Sequence, residues 1–118
     1  MPVVFVLASD WTMRVAVRAE LRESGIDALG MDSAEDAGRA LASSGLPDVI
    51  VLEATADLLN DIRIRNLIQR VPSILVASHT LEVALPDADV ILYRPVRVSE
   101  IVDRVRELLG RTNRHFRE

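Results

Sequence analysis

Pro47-Asp48-Val49-Ile50-Val51-Leu52-Glu53 decides the reading of the fold. A proline and an aspartate precede four consecutive apolar residues, three of them β-branched, and the run stops at a carboxylate. A strand with no polar face is covered on both sides, as a central strand of a parallel α/β sheet is. In such sheets ligands collect beyond the carboxyl ends of the strands. Glu53 is therefore where chemistry is expected. An aspartate there can accept a phosphoryl group, whereas a glutamate holds its charge further out and suits that role poorly.

Outward from this run, short β-branched segments alternate with stretches of helical period, the pattern of a parallel sheet with helices on both faces. Val3 to Ala8 reads as a central strand, after which Ser9 or Asp10 caps a helix from Trp11 to Glu23 that stops at Gly25. Asp27 to Met31 reads as a weaker strand. Ser33-Ala34-Glu35-Asp36 resembles a capping box and opens a helix ending near Ser44, with Gly45 and Pro47 behind it. The third strand is Asp48 to Leu52, and one helix is expected from Ala56 to Arg70, turning Leu58, Leu59, Ile62 and Ile68 to the sheet. Pro72 precedes a fourth strand, Ser73 to Ala77. The stretch from His79 to Leu85 has room for barely two turns before Pro86, so the fourth helix is expected to be short or absent. Val90 to Tyr93 is the fifth strand. Pro95 then leads to a helix capped by Ser99, with Ile101, Val102, Val105, Leu108 and Leu109 inward and Gly110 as its stop.

The chain has 118 residues, 49% of them hydrophobic and 27% charged, which fits one domain with a single core over residues 1–110 and a basic tail or linker over 111–118. The net charge of −4 is spread along the chain, so no basic field points to nucleic acid. Every cation is an arginine and there is no cysteine, which excludes lysine chemistry, disulfides, thiolate nucleophiles and cysteine-held zinc. The opening Met1 to Leu7 lacks a basic leader and is too short to span a membrane, so a cytoplasmic protein is expected. Ala8-Ser9-Asp10-Trp11 has no glycine-rich turn for a dinucleotide, and a P-loop would need a lysine. Ser78-His79 are neighbours without a nucleophile elbow.

Right-handed crossovers make 2-1-3-4-5 the expected strand order for five such units. The crevice then gathers Ser9, Asp10 and Glu53, with Ala77, Ser78 and Arg94 able to converge on it. On these residues the chain, from Val3 to Gly110, resembles the receiver domain of two-component response regulators, in a degenerate or pseudo-receiver form. The resemblance implies a flavodoxin-like doubly wound sheet. It matches the family's pair of Mg²⁺-binding acids to Ser9 and Asp10, its phospho-acceptor aspartate to Glu53, and its phosphate-binding hydroxyl to Ala77, with Ser78 adjacent. The family's lysine before a cis-proline falls on Arg94 and Pro95, and its aromatic switch position on Ile91, with Tyr93 one same-face step further.

Of the chemical positions only Asp10 is unchanged. Phosphoryl transfer to a carboxylate needs Mg²⁺ and donors around the equatorial oxygens, and losing one acid to Ser9 weakens any Mg²⁺ site. No cofactor and no catalysis are therefore expected, with at most weak Mg²⁺ binding. Arg94 is expected to pair with Glu53 or Asp10 instead. The expected function is a receiver-like domain in bacterial signal transduction, not phosphorylated, that works by contact with a protein partner, an output domain or a second copy. The alternative is a phosphorylatable receiver of atypical chemistry controlling an output domain, for instance a DNA-binding one. The expected contact surface lies on the fifth strand and last helix, with Val96, Val98, Asp103 and Arg104.

Each of these residues also has a plainer use. Asp10 is an ordinary helix N-cap, Arg94 an ion-pair partner, and Trp11 and Tyr93 packing residues or anchors for a partner. His79 and Glu82 have metal-ligand spacing with no third ligand in sight. Arg111, Arg114, His115 and Arg117 read as a solvated linker.

Overall fold

The computed structural model describes residues 1–117, with side chains as far as Arg111. Five parallel strands, β1 (Val3–Leu7), β2 (Asp27–Met31), β3 (Val49–Glu53), β4 (Ser73–Ala77) and β5 (Val90–Tyr93), form one sheet in the order β2-β1-β3-β4-β5. This is the flavodoxin-like doubly wound arrangement expected from the sequence. The helices are α1 (Trp11–Glu23), α2 (Ala34–Ser44), α3 (Ala56–Leu59), α4 (Ile62–Arg70) and α5 (Val98–Arg117).

Period-two alternation along the strands divides the core into two layers. Val4, Val6, Val49, Val51, Ile74 and Val76 face α1 and α5, whose Val17, Leu21, Ile101, Val102 and Val105 cover them. Phe5, Leu7, Ile50, Leu52, Leu75 and Ala77 face the opposite side, under α2, α3 and α4. Burial on both faces explains why β1, β3 and β4 read as unbroken apolar runs. At the amino end of the sheet two aspartates hold neighbouring strands: Asp48 accepts from the Val3 amide and Asp89 from the Ser73 amide, each at 2.8 Å.

The caps fall where the sequence places them at the first two helices. Asp10 accepts from the Met13 amide at 3.2 Å and Ser33 from the Asp36 amide at 3.1 Å, while Gly25 ends the first helical segment with φ +79°. Four expectations are corrected. The helix expected over 56–70 is two, because Thr55 caps α3 and Asp61 caps a fresh start at α4. That restart changes the rotational phase, so Ile62 is 65% exposed rather than turned to the sheet, while Leu58, Leu59 and Ile68 are buried as expected. Gly110 does not stop α5. Its φ is not positive, as a left-handed cap requires, and the helix runs on through the stretch read as a tail. Ser99 lies inside the first turn of α5, one residue past its start.

Between β4 and β5 the residues 78–89 form no helix. Leu81, Val83, Leu85 and Ala88 lie half-buried over the second core layer beside Ile91. A strip of loop side chains thus covers the part of the sheet where a fourth crossover helix would otherwise lie.

Candidate functional site

At the carboxyl end of the sheet three charged side chains converge from three strand ends. Glu53 is the last residue of β3, Asp10 caps α1 just beyond β1, and Arg94 follows β5. The backbone places Arg94: its amide donates to Ala77 O at 2.9 Å, continuing the β4–β5 ladder one step past Tyr93. The Arg94–Pro95 peptide is cis, as the resemblance implied.

Both oxygens of Glu53 are engaged. Its Oε1 accepts from the Ser9 amide at 2.9 Å, the Ser9 hydroxyl at 2.7 Å and the Asp10 amide at 3.2 Å, and its Oε2 accepts from Arg94 Nη2 at 2.8 Å. The side chain is only 13% exposed. The other guanidinium nitrogen, Arg94 Nη1, lies 3.3 Å from Asp10 Oδ2, and Nη2 also approaches Met13 Sδ at 3.5 Å. One planar cation therefore spans both carboxylates, a use of its fixed fork that a lysine's point charge does not match. The Asp10 carboxyl is held below its ordinary value of 3.8, first by the Met13 amide and then, against the cost of its burial, by Arg94.

These contacts bear on Mg²⁺, which the resemblance would bring here. The ion needs near-octahedral oxygen ligation with free carboxylate lone pairs. Both Glu53 oxygens already accept hydrogen bonds, Oε2 from the Arg94 cation itself, Ser9 spends its hydroxyl as a donor, and Arg94 stands between the two acids with the positive charge. The donor set does not fit the ion. Among the described residues no group of three or more histidine, aspartate or glutamate side chains is arranged to hold a metal, and His79 with Glu82 gains no third ligand.

The remaining residues singled out from the sequence are dispersed. Ala77 is buried with its methyl in the second core layer and offers the site only a backbone carbonyl. Ser78 turns its hydroxyl to Thr80, whose Oγ1 is 2.8 Å away, and takes the Thr80 amide at 3.2 Å. Its hydroxyl is engaged there and not with Asp10, Glu53 or Arg94. Ile91 packs into the second core layer, and Tyr93, 45% exposed, stacks on His79 with ring centroids 4.6 Å apart and 10° between the planes. Val96 and Val98 are half-buried against the first layer. With Pro95, Ile101 and the α1 residues Thr12, Met13 and Ala16 they line a groove of about 550 Å³ that opens beside Asp10 and Arg94. Asp103 is exposed, and Arg104 pairs with Glu107 on the same helix at 3.1 Å. Trp11 is 66% exposed. Sequence reasoning missed Met13 as a wall of the site and Ser9 as a hydroxyl donor to Glu53. The first was hidden because residue 13 reads only as a core position of α1. The second was legible from a hydroxyl placed at the end of the strand next to the one that ends in Glu53.

No family model and no curated protein matches the chain. Its fold does match solved structures. A Francisella response regulator receiver domain is 24% identical, with a TM-score of 0.70 over 95% of this chain and 99% of that one. A CheY-like response regulator receiver domain protein from Methanospirillum hungatei is 15% identical, with a TM-score of 0.76 over 95% and 97%. NtrX from Brucella abortus is 15% identical, with a TM-score of 0.79 over 98% of this chain but 29% of that longer one. The chain has the fold of response regulator receiver domains.

Proposed function

We propose that this is a pseudo-receiver: a domain of bacterial two-component signalling that is not phosphorylated and acts by protein contact from the cytoplasm. One observation carries the reading. Both oxygens of the carboxylate at the acceptor position already accept hydrogen bonds, three on Oε1 and one from Arg94 on Oε2, and Arg94 supplies the counter-charge. A carboxylate must offer a free oxygen to attack a phosphorus atom, and the transferred group then needs a cation and donors around it. Arg94 would have to leave Glu53 first, and Ala77 supplies no hydroxyl. Among the described residues no helix is long and apolar enough to cross a membrane, which agrees with a cytoplasmic setting.

The partner we favour is an output domain or a second copy, docking on β5 and the start of α5. The half-buried Val96 and Val98 and, further along α5, the charged Asp103 and Arg104 support this choice, because such contacts combine apolar and charged residues. Among the solved structures of this fold, one is the N-terminal domain of a response regulator/sensory box/GGDEF three-domain protein from Carboxydothermus hydrogenoformans.

The test is an amide NMR titration with Mg²⁺ and then beryllofluoride, following Asp10, Glu53 and Ser78. The expected spectrum stays unchanged at all three. Shifts that saturate there would overturn the phosphorylation-independent reading. Charge reversal at Asp103 and Arg104 that left every partner contact and all self-association unchanged would remove the proposed surface.

A further inference from the structure

Strand β2 forms one edge of the sheet, and an edge strand presents unpaired backbone groups on which another strand can build. Pairing with β1 uses alternate residues. The Asp27 amide donates to Pro2 O at 3.1 Å, and Met31 O accepts from the Ala8 amide at 3.0 Å. Ala28 and Gly30, out of phase with these, turn their amides and carbonyls to the open side. Ala28 is nonetheless fully buried.

The cover comes from α1. Arg22 Nη2 donates to Ala28 O at 3.1 Å and Arg18 Nε reaches the same oxygen at 3.4 Å, while Arg14, one turn earlier, donates to Ala8 O at 2.6 Å. A spacing of four residues puts all three on one stripe of the helix. Gly30 makes their path: a Cβ there would lie 2.6 Å from Arg18 Cδ and 3.2 Å from Arg14 Cγ. None of the ion pairs among the described residues involves Arg14, Arg18 or Arg22.

We propose that Arg18 and Arg22 form a clasp over the β2 edge that keeps a second copy of this chain from adding to it by strand pairing. Within β2 only Asp27, at its start, is charged, and Ala28-Leu29-Gly30-Met31 beneath the clasp has neither charge nor proline of its own to discourage pairing. The clasp makes up for this in two ways: it occupies the outward carbonyl, and it sets like charges against each other when two such edges approach. This device is independent of the phosphorylation reading, since it involves neither Glu53 nor Arg94.

Two variants test it. Arg18→Ala/Arg22→Ala removes the clasp, and Gly30→Ala displaces Arg18 while leaving every arginine in the chain, so the second remains informative should the first fail to fold. Light scattering over a concentration series, with amide hydrogen exchange at Ala28 and Gly30, gives the readout. The expected result is an association step absent from the parent chain, raising the mean mass about twofold and slowing exchange at those two amides. Folded variants that keep the parent's mass, or that associate with both amides unprotected, would overturn the proposal.

Discussion

Glu53 and Arg94 should be thermodynamically coupled, and a double-mutant cycle with Glu53→Gln and Arg94→Met measures by how much. The methionine keeps the apolar stem of the arginine, and the glutamine keeps the shape of the glutamate. The contact is 2.8 Å between a side chain 13% exposed and one 38% exposed. Exposed pairs are worth about 0.2–1 kcal/mol, and removing one partner of a buried pair costs about 3–5 kcal/mol. This pair lies between those limits. Glu53 would retain its Ser9 and Asp10 donors after loss of the arginine, which places Arg94→Met near the lower side, at about 2 kcal/mol. The coupling should be about 1.5 kcal/mol, because glutamine turns an amide donor toward a cation that needs an acceptor. With a urea dependence of about 1.5 kcal/mol/M for a chain of this size, Arg94→Met lowers the midpoint by about 1.3 M. Far-UV circular dichroism is the suitable probe, since the single tryptophan, Trp11, is already exposed in the folded state. A coupling below about 0.3 kcal/mol, the ordinary error of additivity, would refute the claim that Arg94 is the counterion of Glu53.

Three further outcomes are expected. Asp61 has its carboxyl lowered from 3.8 to about 2, first by the Arg63 side chain, so its contribution to the folded state is complete above its ordinary value and fades as the pH falls from about 4 through about 2; Arg63→Gln should raise its titration midpoint, read from the carboxyl carbon by NMR. Leu75→Ala, fully buried in the layer that the 78–89 segment helps to cover, should cost about 3 kcal/mol, a large share of a total stability of about 5–15 kcal/mol; a loss under about 1 kcal/mol by calorimetry would show that this layer is not packed as described. Replacing Ser9→Asp, Glu53→Asp, Ala77→Thr and Arg94→Lys together should create Mg²⁺-dependent amide shifts at Asp10 that the parent chain lacks. Absence of such shifts in the folded quadruple variant would mean that features beyond these four positions keep the metal out.

The strand order was legible because burial on both faces leaves a direct mark. Val49–Leu52 and Val3–Leu7 contain no polar residue, and right-handed crossovers leave few ways to order them. The errors fell where local signals compete. Asn60-Asp61 carries a cap for α4 inside a stretch whose apolar spacing still passes for one helix, so the phase of Ile62 was assigned from the wrong start. Gly110 reads as a stop by residue type, yet glycine is tolerated inside a helix at about 1 kcal/mol, which the buried Val105, Leu108 and Leu109 just before it help offset. At the site, the convergence of Asp10, Glu53 and Arg94 followed from topology alone. The hydrogen-bond directions did not, because whether Ser78 turns to the crevice or to Thr80 depends on a two-residue turn that composition does not encode.

Ser9 is the residue on which the electrostatics of the site turn. With an acid at position 9, a third carboxylate would stand where a hydroxyl now meets Glu53 Oε1 at 2.7 Å. Like charges at that separation in a half-buried setting either bind a cation or force one group to take up a proton. A serine converts the repulsion into a hydrogen bond, and the remaining two carboxylates are within the reach of one guanidinium. The glutamate's extra methylene then has a use, since it lets one oxygen reach the amides at the start of α1 while the other meets Arg94 on the far side. Serine, glutamate and arginine are thus a mutually consistent set. Changing any one alone would leave an unpaired donor or an uncompensated charge, and for that reason a single substitution such as Glu53→Asp should destabilise the domain, read as a lower urea midpoint.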